Sequence, residues 1–93
     1  MARGPREKPE RLAEKLRTIR ERLGLSQSEM LRRLGAEDRM AYHRISEFES
    51  GKGEPSLIVL LEYARAAGVS TDALIDDGVD LPDRLPAKQG RKT

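Results

Sequence analysis

The stretch LGLSQSEMLRRLG, running from Leu23 to Gly35, decides how the rest of the sequence is read. Ser26 stands where a helix wants an N-cap, and Glu29 follows three residues later. That is the spacing of a capping box, in which each side chain accepts from the other residue's backbone N–H. Leu25 and Met30 flank the cap as a hydrophobic staple. Met30, Leu31 and Leu34 then form one inward face, and Gly35 ends a helix of about two turns.

Working outward from this helix, Leu12, Leu16, Ile19 and Leu23 recur at spacings of four, three and four. They predict an amphipathic first helix that closes at Gly24, with charges on its other faces. Downstream, Asp38 to Ser50 reads as a third helix, with Met40 or Ala41, Ile45 and Phe48 on its buried side and Gly51 as its C-cap. Gly51 to Pro55 is a turn by composition. Pro55-Ser56 opens a fourth helix whose apolar positions Leu57, Leu60, Leu61, Ala64 and Ala67 fit a 3.6-residue period and which closes at Gly68. Ser70 or Thr71 caps a short fifth helix holding Ala73, Leu74 and Ile75, with Asp72 at its positive end. Beyond Asp77 the pattern fails. Leu81-Pro82 and Leu85-Pro86 read as an extended segment that lays two leucines on the domain. With neither a strand pattern nor a repeat, the fold class is all-α, five helices in one domain over residues 10–77. Residues 1–9 form a flexible basic arm, and residues 78–93 an extended, proline-containing segment with a basic tail.

Composition narrows the function. The chain has 93 residues, no cysteine, no tryptophan, a single histidine and 37% charged side chains. This describes one small domain held by its apolar core, without disulfides, a zinc cluster or thiol chemistry. No nucleophile stands beside a base, and no glycine loop suited to cradling a phosphate is present, so nothing supports an enzyme, a catalytic residue, a metal or a cofactor. No apolar run approaches the roughly 18 residues of a membrane span, and the N-terminus lacks a signal-like stretch, so the expectation is a soluble, cytoplasmic protein with no membrane partner. The net charge of +2 hides an asymmetry. Residues 1–25 carry eight basic and four acidic side chains, residues 54–83 one basic against seven acidic, and residues 84–93 four basic and none acidic. Either these are ordinary solvated faces, or one basic end faces an anion and an acidic end is kept away from it.

The second helix, followed by RISEFESGKGEPSLIVLLEYARAAGVSTDALI from Arg44 to Ile75, resembles the Cro/repressor-type helix-turn-helix family over residues 10–76. The resemblance is carried by the Leu25-Ser26-Gln27 opening with Met30, by Ile45-x-x-Phe48-Glu49-x-Gly51, and by Pro55-Ser56-Leu57 with Leu60. It implies a five-helix, lambda-repressor-like fold in which the second helix lies across phosphates and the third enters the major groove of duplex DNA, about 12 Å wide. One departure stands out: between Gly35 and Glu49 the chain is longer than the family's usual spacing, around Glu37-Asp38-Arg39-Met40. Either the turn is longer or the third helix starts earlier.

Under the resemblance, Tyr42, His43, Arg44 and Glu47 fall on the exposed face of the third helix and are candidates for DNA base contacts. Arg44 either reads guanine through O6 and N7 or clamps a phosphate; Glu47 either accepts from cytosine N4 or pairs with a neighbour. His43 either meets a base edge or stays solvated, and Tyr42 either stacks on a sugar or thymine methyl or packs half-buried. Gln27, Ser50, Lys52 and Arg39 are the phosphate candidates, with the amides of Gly51 and Gly53 gripping the strand. Arg20 and Glu49 match a buried charged pair that ties the first helix to the third. The expected function is a sequence-specific transcriptional regulator bound to double-stranded DNA as a homodimer on an inverted repeat. Leu74, Ile75, Val79, Leu81 and Leu85 either form the dimer surface or cap the monomer core. The alternative is a protein-interaction module, an antitoxin or adaptor, that uses the acidic face of helices four and five.

Overall fold

The computed structural model describes residues 8–86; the expected arm up to Glu7 and the tail from Ala87 lie outside them. Five helices follow in order: α1 Leu12–Leu23, α2 Gln27–Arg33, α3 His43–Ser50, α4 Leu57–Ala67 and α5 Asp72–Ile75. No strand occurs among the described residues. Helix α1 is the element on which α3, α4 and α5 all pack, and α2 packs against α3.

The local signals act as the sequence implies. The capping box is complete: the Glu29 amide donates to Ser26 Oγ at 3.1 Å and the Ser26 amide to Glu29 Oε1 at 2.8 Å. The bond from the Ser26 amide foremost, with the Ser26 hydroxyl beside it, holds the Glu29 carboxyl below the usual range. Ser56 caps α4 by accepting from the Val59 amide at 3.2 Å. Gly24, Gly51 and Gly68 end α1, α3 and α4. The α1 stripe is buried at Leu12, Leu16 and Ile19, with Leu23 partly covered, and joins Met30, Leu31, Leu34, Ile45 and Phe48 in one core. Leu85 is also buried there and Leu81 packs on its edge, so the proline-flanked segment does lay both leucines on the domain.

Three expectations need correction. Helix α3 starts at His43 rather than Asp38. Ala36 is fully buried and its carbonyl accepts from both the Arg39 and Met40 amides at 3.1 Å, so the additional residues close a turn instead of extending the helix. Glu37 and Asp38 therefore do not cap α3, and Ala41 is exposed while Met40 packs on the core. In α4 the buried face is Val59, Leu60, Tyr63, Ala64 and Ala67, whereas Leu57 is 82% exposed. Neither Ser70 nor Thr71 caps α5 through its side chain, since Thr71 holds the N-cap place without a side-chain bond.

The acidic segment is not kept away from the basic one either. It is folded onto α1, where Arg11 Nη2 pairs with Asp80 at 2.8 Å and Asp77 accepts from the Glu10 and Arg11 amides at 3.0 Å each. Lys15, only 2% exposed, donates from Nζ to the carbonyls of Ala73, Asp76 and Val79 at 2.8, 2.9 and 2.6 Å. Sequence reading missed Lys15, although its place three residues after Leu12 and four before Ile19 puts it on the core face of α1.

Candidate nucleic-acid interface

A helix can serve as a reading element only if it is short, exposed on one face and rigidly held on the other. Helix α3 meets all three conditions. Ile45 and Phe48 are 0% and 2% exposed and anchor it, while His43, Ser46, Glu47 and Ser50, at offsets of three, four and seven, share the opposite face. Its end is pinned by Glu49. Arg20 Nε and Nη2 meet the two Glu49 carboxylate oxygens at 2.6 and 3.0 Å, and Arg20 Nη1 donates to the Leu25 carbonyl at 2.9 Å. The two side chains are 16% and 6% exposed. Hydrogen bonding to Glu49 raises the Arg20 pKa above its ordinary value. One forked contact thus ties α3 to α1 and to the α1–α2 turn.

The candidate residues are not all gathered on this face. Tyr42 stands at the N-cap position of α3, 57% exposed, with His43 exposed beside it as the first helical residue. Glu47 lies one turn on, half-buried, and Ser50 ends the face with its hydroxyl donating to the Glu47 carbonyl at 3.2 Å. Arg44 is turned to the flank. Its Nη1 pairs with Glu47 Oε1, and its guanidinium lies 5.2 Å from the centre of the Phe48 ring. Gln27 opens α2, Lys52 is exposed in the loop after α3, and Arg39 donates to the Gly35 carbonyl at 3.2 Å. The loop amides point inward: Lys52 and Gly53 donate to the Glu47 carbonyl at 2.9 and 3.2 Å, and Gly51 donates to that of Phe48 at 3.4 Å. These amides close α3 and are not turned out to meet a strand, contrary to the expectation for Gly51 and Gly53. Ser46 was not among the candidates, although its spacing from His43 was readable.

Of the five leucine-rich positions considered for a dimer surface, Leu74 and Leu85 are buried and Leu81 is partly so; only Ile75 and Val79 are exposed, at 44% and 39%. Among the described residues no group of three or more His, Cys, Asp or Glu side chains is placed to hold a metal ion. No described helix is long and apolar enough to cross a membrane.

A capped helix joined to a second helix through a lengthened turn, with the second exposed along a polar face and locked from behind, defines a helix-turn-helix protein of the lambda-repressor-like kind, a class of DNA-binding transcription regulators. A family model described as helix-turn-helix matches residues 16–74, and the chain belongs to that family. Solved structures agree. The P22 c2 repressor in complex with synthetic operator 9T is similar at a TM-score of 0.62 and 26% identity, over 71% of this chain and 94% of that one. A hypothetical transcription factor from Neisseria, NHTF, is similar at 0.59 and 26%, over 89% and 92%. SinR, the master regulator for biofilm formation, in complex with DNA, shares the fold at 0.57 and 23%, over 68% and 95%. A search of curated proteins found no match.

Proposed function

We propose that this protein is a sequence-specific regulator that grips double-stranded DNA as a homodimer on an inverted repeat, with α3 in the major groove. The observation that carries the reading is the exposed face of α3, held from behind by Ile45, Phe48 and the Arg20–Glu49 fork. A rigid helix of eight residues fits a groove about 12 Å wide. Tyr42 and His43 at its start and Glu47 one turn on are the base-edge contacts. Gln27, Ser50 and Lys52 contact phosphates, and Arg39 joins them by exchanging the Gly35 carbonyl for a phosphate oxygen. One such helix spans too few base pairs to be selective in a genome, so two copies with half-sites about 34 Å apart are required. Likeness to the P22 c2 repressor, solved in complex with a synthetic operator, supports DNA as the partner.

Selection from a random duplex pool, followed by polarisation titration of the winner across salt concentrations, tests the proposal. Enrichment of a two-fold symmetric site and a steep fall of affinity with log salt are expected. Enrichment of no sequence would sink it. Sedimentation of the free protein and of the complex tests the dimer, and one copy per enriched site would overturn that part alone.

A further inference from the structure

The sequence singles out Arg44 as the residue best suited to read a guanine, because its planar fork matches O6 and N7. The structure places it elsewhere. Around the axis of α3, His43, Ser46, Glu47 and Ser50 form the outward face, and Arg44 lies beyond its edge, on the side of Phe48 and the loop after α3. Two contacts hold it there, the ion pair with Glu47 and the ring of Phe48, and its guanidinium lies on the side of Gly53, where an added Cβ would stand 3.5 Å from Nη1 in ordinary contact. Gly53 also lines a hollow of about 460 Å³ together with Lys8, Gly51, Lys52, Glu54 and Pro55. Arg44 therefore lies at the edge of the α3 face, on the side of the loop in which Lys52 precedes Gly53.

Building on the DNA-binding reading above, we infer that Arg44 is a phosphate contact rather than a base reader, and that Ser46, on the outward face, reads a base edge. Two physical consequences follow. A carboxylate entering a groove lined with phosphates is repelled unless it is neutralised, and the Arg44 partnership supplies Glu47 with that neutralisation. Ser46 is exposed on the outward face, one turn after His43 and one turn before Ser50, and its hydroxyl both donates and accepts, so it serves an acceptor or a donor on a base edge.

The test compares Arg44→Ala, Arg44→Lys and Ser46→Ala with the wild-type protein, each against the selected duplex and against every single base-pair change in it, over a salt series. Arg44→Ala is expected to weaken binding by a similar factor on all duplexes and to reduce the salt slope by about 0.9, the value of one phosphate contact. Arg44→Lys keeps the charge and is expected to keep the slope. Ser46→Ala is expected to lose about fivefold on the selected duplex and to flatten the preference at one base pair only. Loss of a single G·C preference in Arg44→Ala with an unchanged salt slope overturns the inference, as does an unaltered base profile in Ser46→Ala. Thermal unfolding of each variant separates a folding defect from a binding one, and Ser46→Ala, at an exposed position, decides the matter if Arg44→Ala does not fold. If the wild-type protein enriches no sequence, the DNA-binding reading itself has failed, which is a different result from any of these.

Discussion

The Asp77 carboxylate accepts the backbone N–H of Arg11 at 3.0 Å, and the Arg11 guanidinium returns a hydrogen bond to the Asp77 carbonyl at 2.9 Å. Helix α1 has no capping side chain at its own N-cap residue, Arg11. A residue 66 positions away supplies the cap instead, also taking the Glu10 amide at 3.0 Å, and sets a negative charge at the positive end of the helix. The segment after α5 is thereby part of what starts α1.

Asp77→Asn is expected to lower the unfolding temperature at neutral pH. The bonds from the Glu10 and Arg11 amides hold the Asp77 carboxyl below its usual value. A depressed folded-state pKa stabilises the protein above the unfolded value of about 3.9, and that stabilisation fades as pH falls through the lower folded value. The gap between variant and wild type, followed by thermal unfolding from pH 7 downward, should close in acid. A gap of constant size would count against the cap.

Lys15→Met keeps the length and apolar stem of the side chain but removes its donors from three carbonyls, those of Ala73, Asp76 and Val79. A loss of about 3 kcal/mol in urea unfolding is expected, because the carbonyls stay behind in a site closed to solvent. An unchanged midpoint would show that the three bonds contribute nothing net.

Glu49→Leu leaves Arg20 charged and largely covered, and should cost about 3–5 kcal/mol. Replacing both partners, Arg20→Met with Glu49→Leu, should recover much of that loss, since two apolar side chains leave no unpaired charge. If the double variant is no better than the single one, the pair does more than balance its own charges.

Tyr63 is fully buried in α4, and its hydroxyl has no hydrogen-bond partner. Burial pushes its pKa up, and the neighbouring Glu49 adds to the effect. Removing an unsatisfied hydroxyl from the core is expected to be neutral or to stabilise by about 1 kcal/mol, so Tyr63→Phe is the inexpensive check by chemical denaturation. A marked loss of stability would reveal a partner for that oxygen.

Much of the fold could be read locally. Ser26 with Glu29, Ser56, and the glycines at 24, 51 and 68 marked helix ends, because caps satisfy orphan amides and carbonyls within a few residues of themselves. Helix α4 was placed correctly but turned wrongly. Its sequence, LIVLLEYARAA, is so uniformly apolar near the start that the period cannot say which of Leu57 and Val59 faces inward. The candidate site was legible in its residue types and much less so in its directions. His43 and Glu47 share the outward face, whereas Arg44, also a base-contact candidate from the sequence, is drawn to the flank by Glu47 and Phe48.

The sequence by itself determined five helices, most of their ends and the family. Those properties follow from period and capping, which act over one or two turns. Only the tertiary structure decided where α3 begins, how the acidic segment folds onto α1, and which way Arg44 lies. Each of these depends on bonds or burial between groups brought together by the fold. The buried Ala36 closes the turn before α3, Lys15 and Asp77 join residues about sixty positions apart, and the Arg44 guanidinium settles between Glu47 and the Phe48 ring. No local pattern encodes such partners, because the energy that selects them exists only once the core has formed.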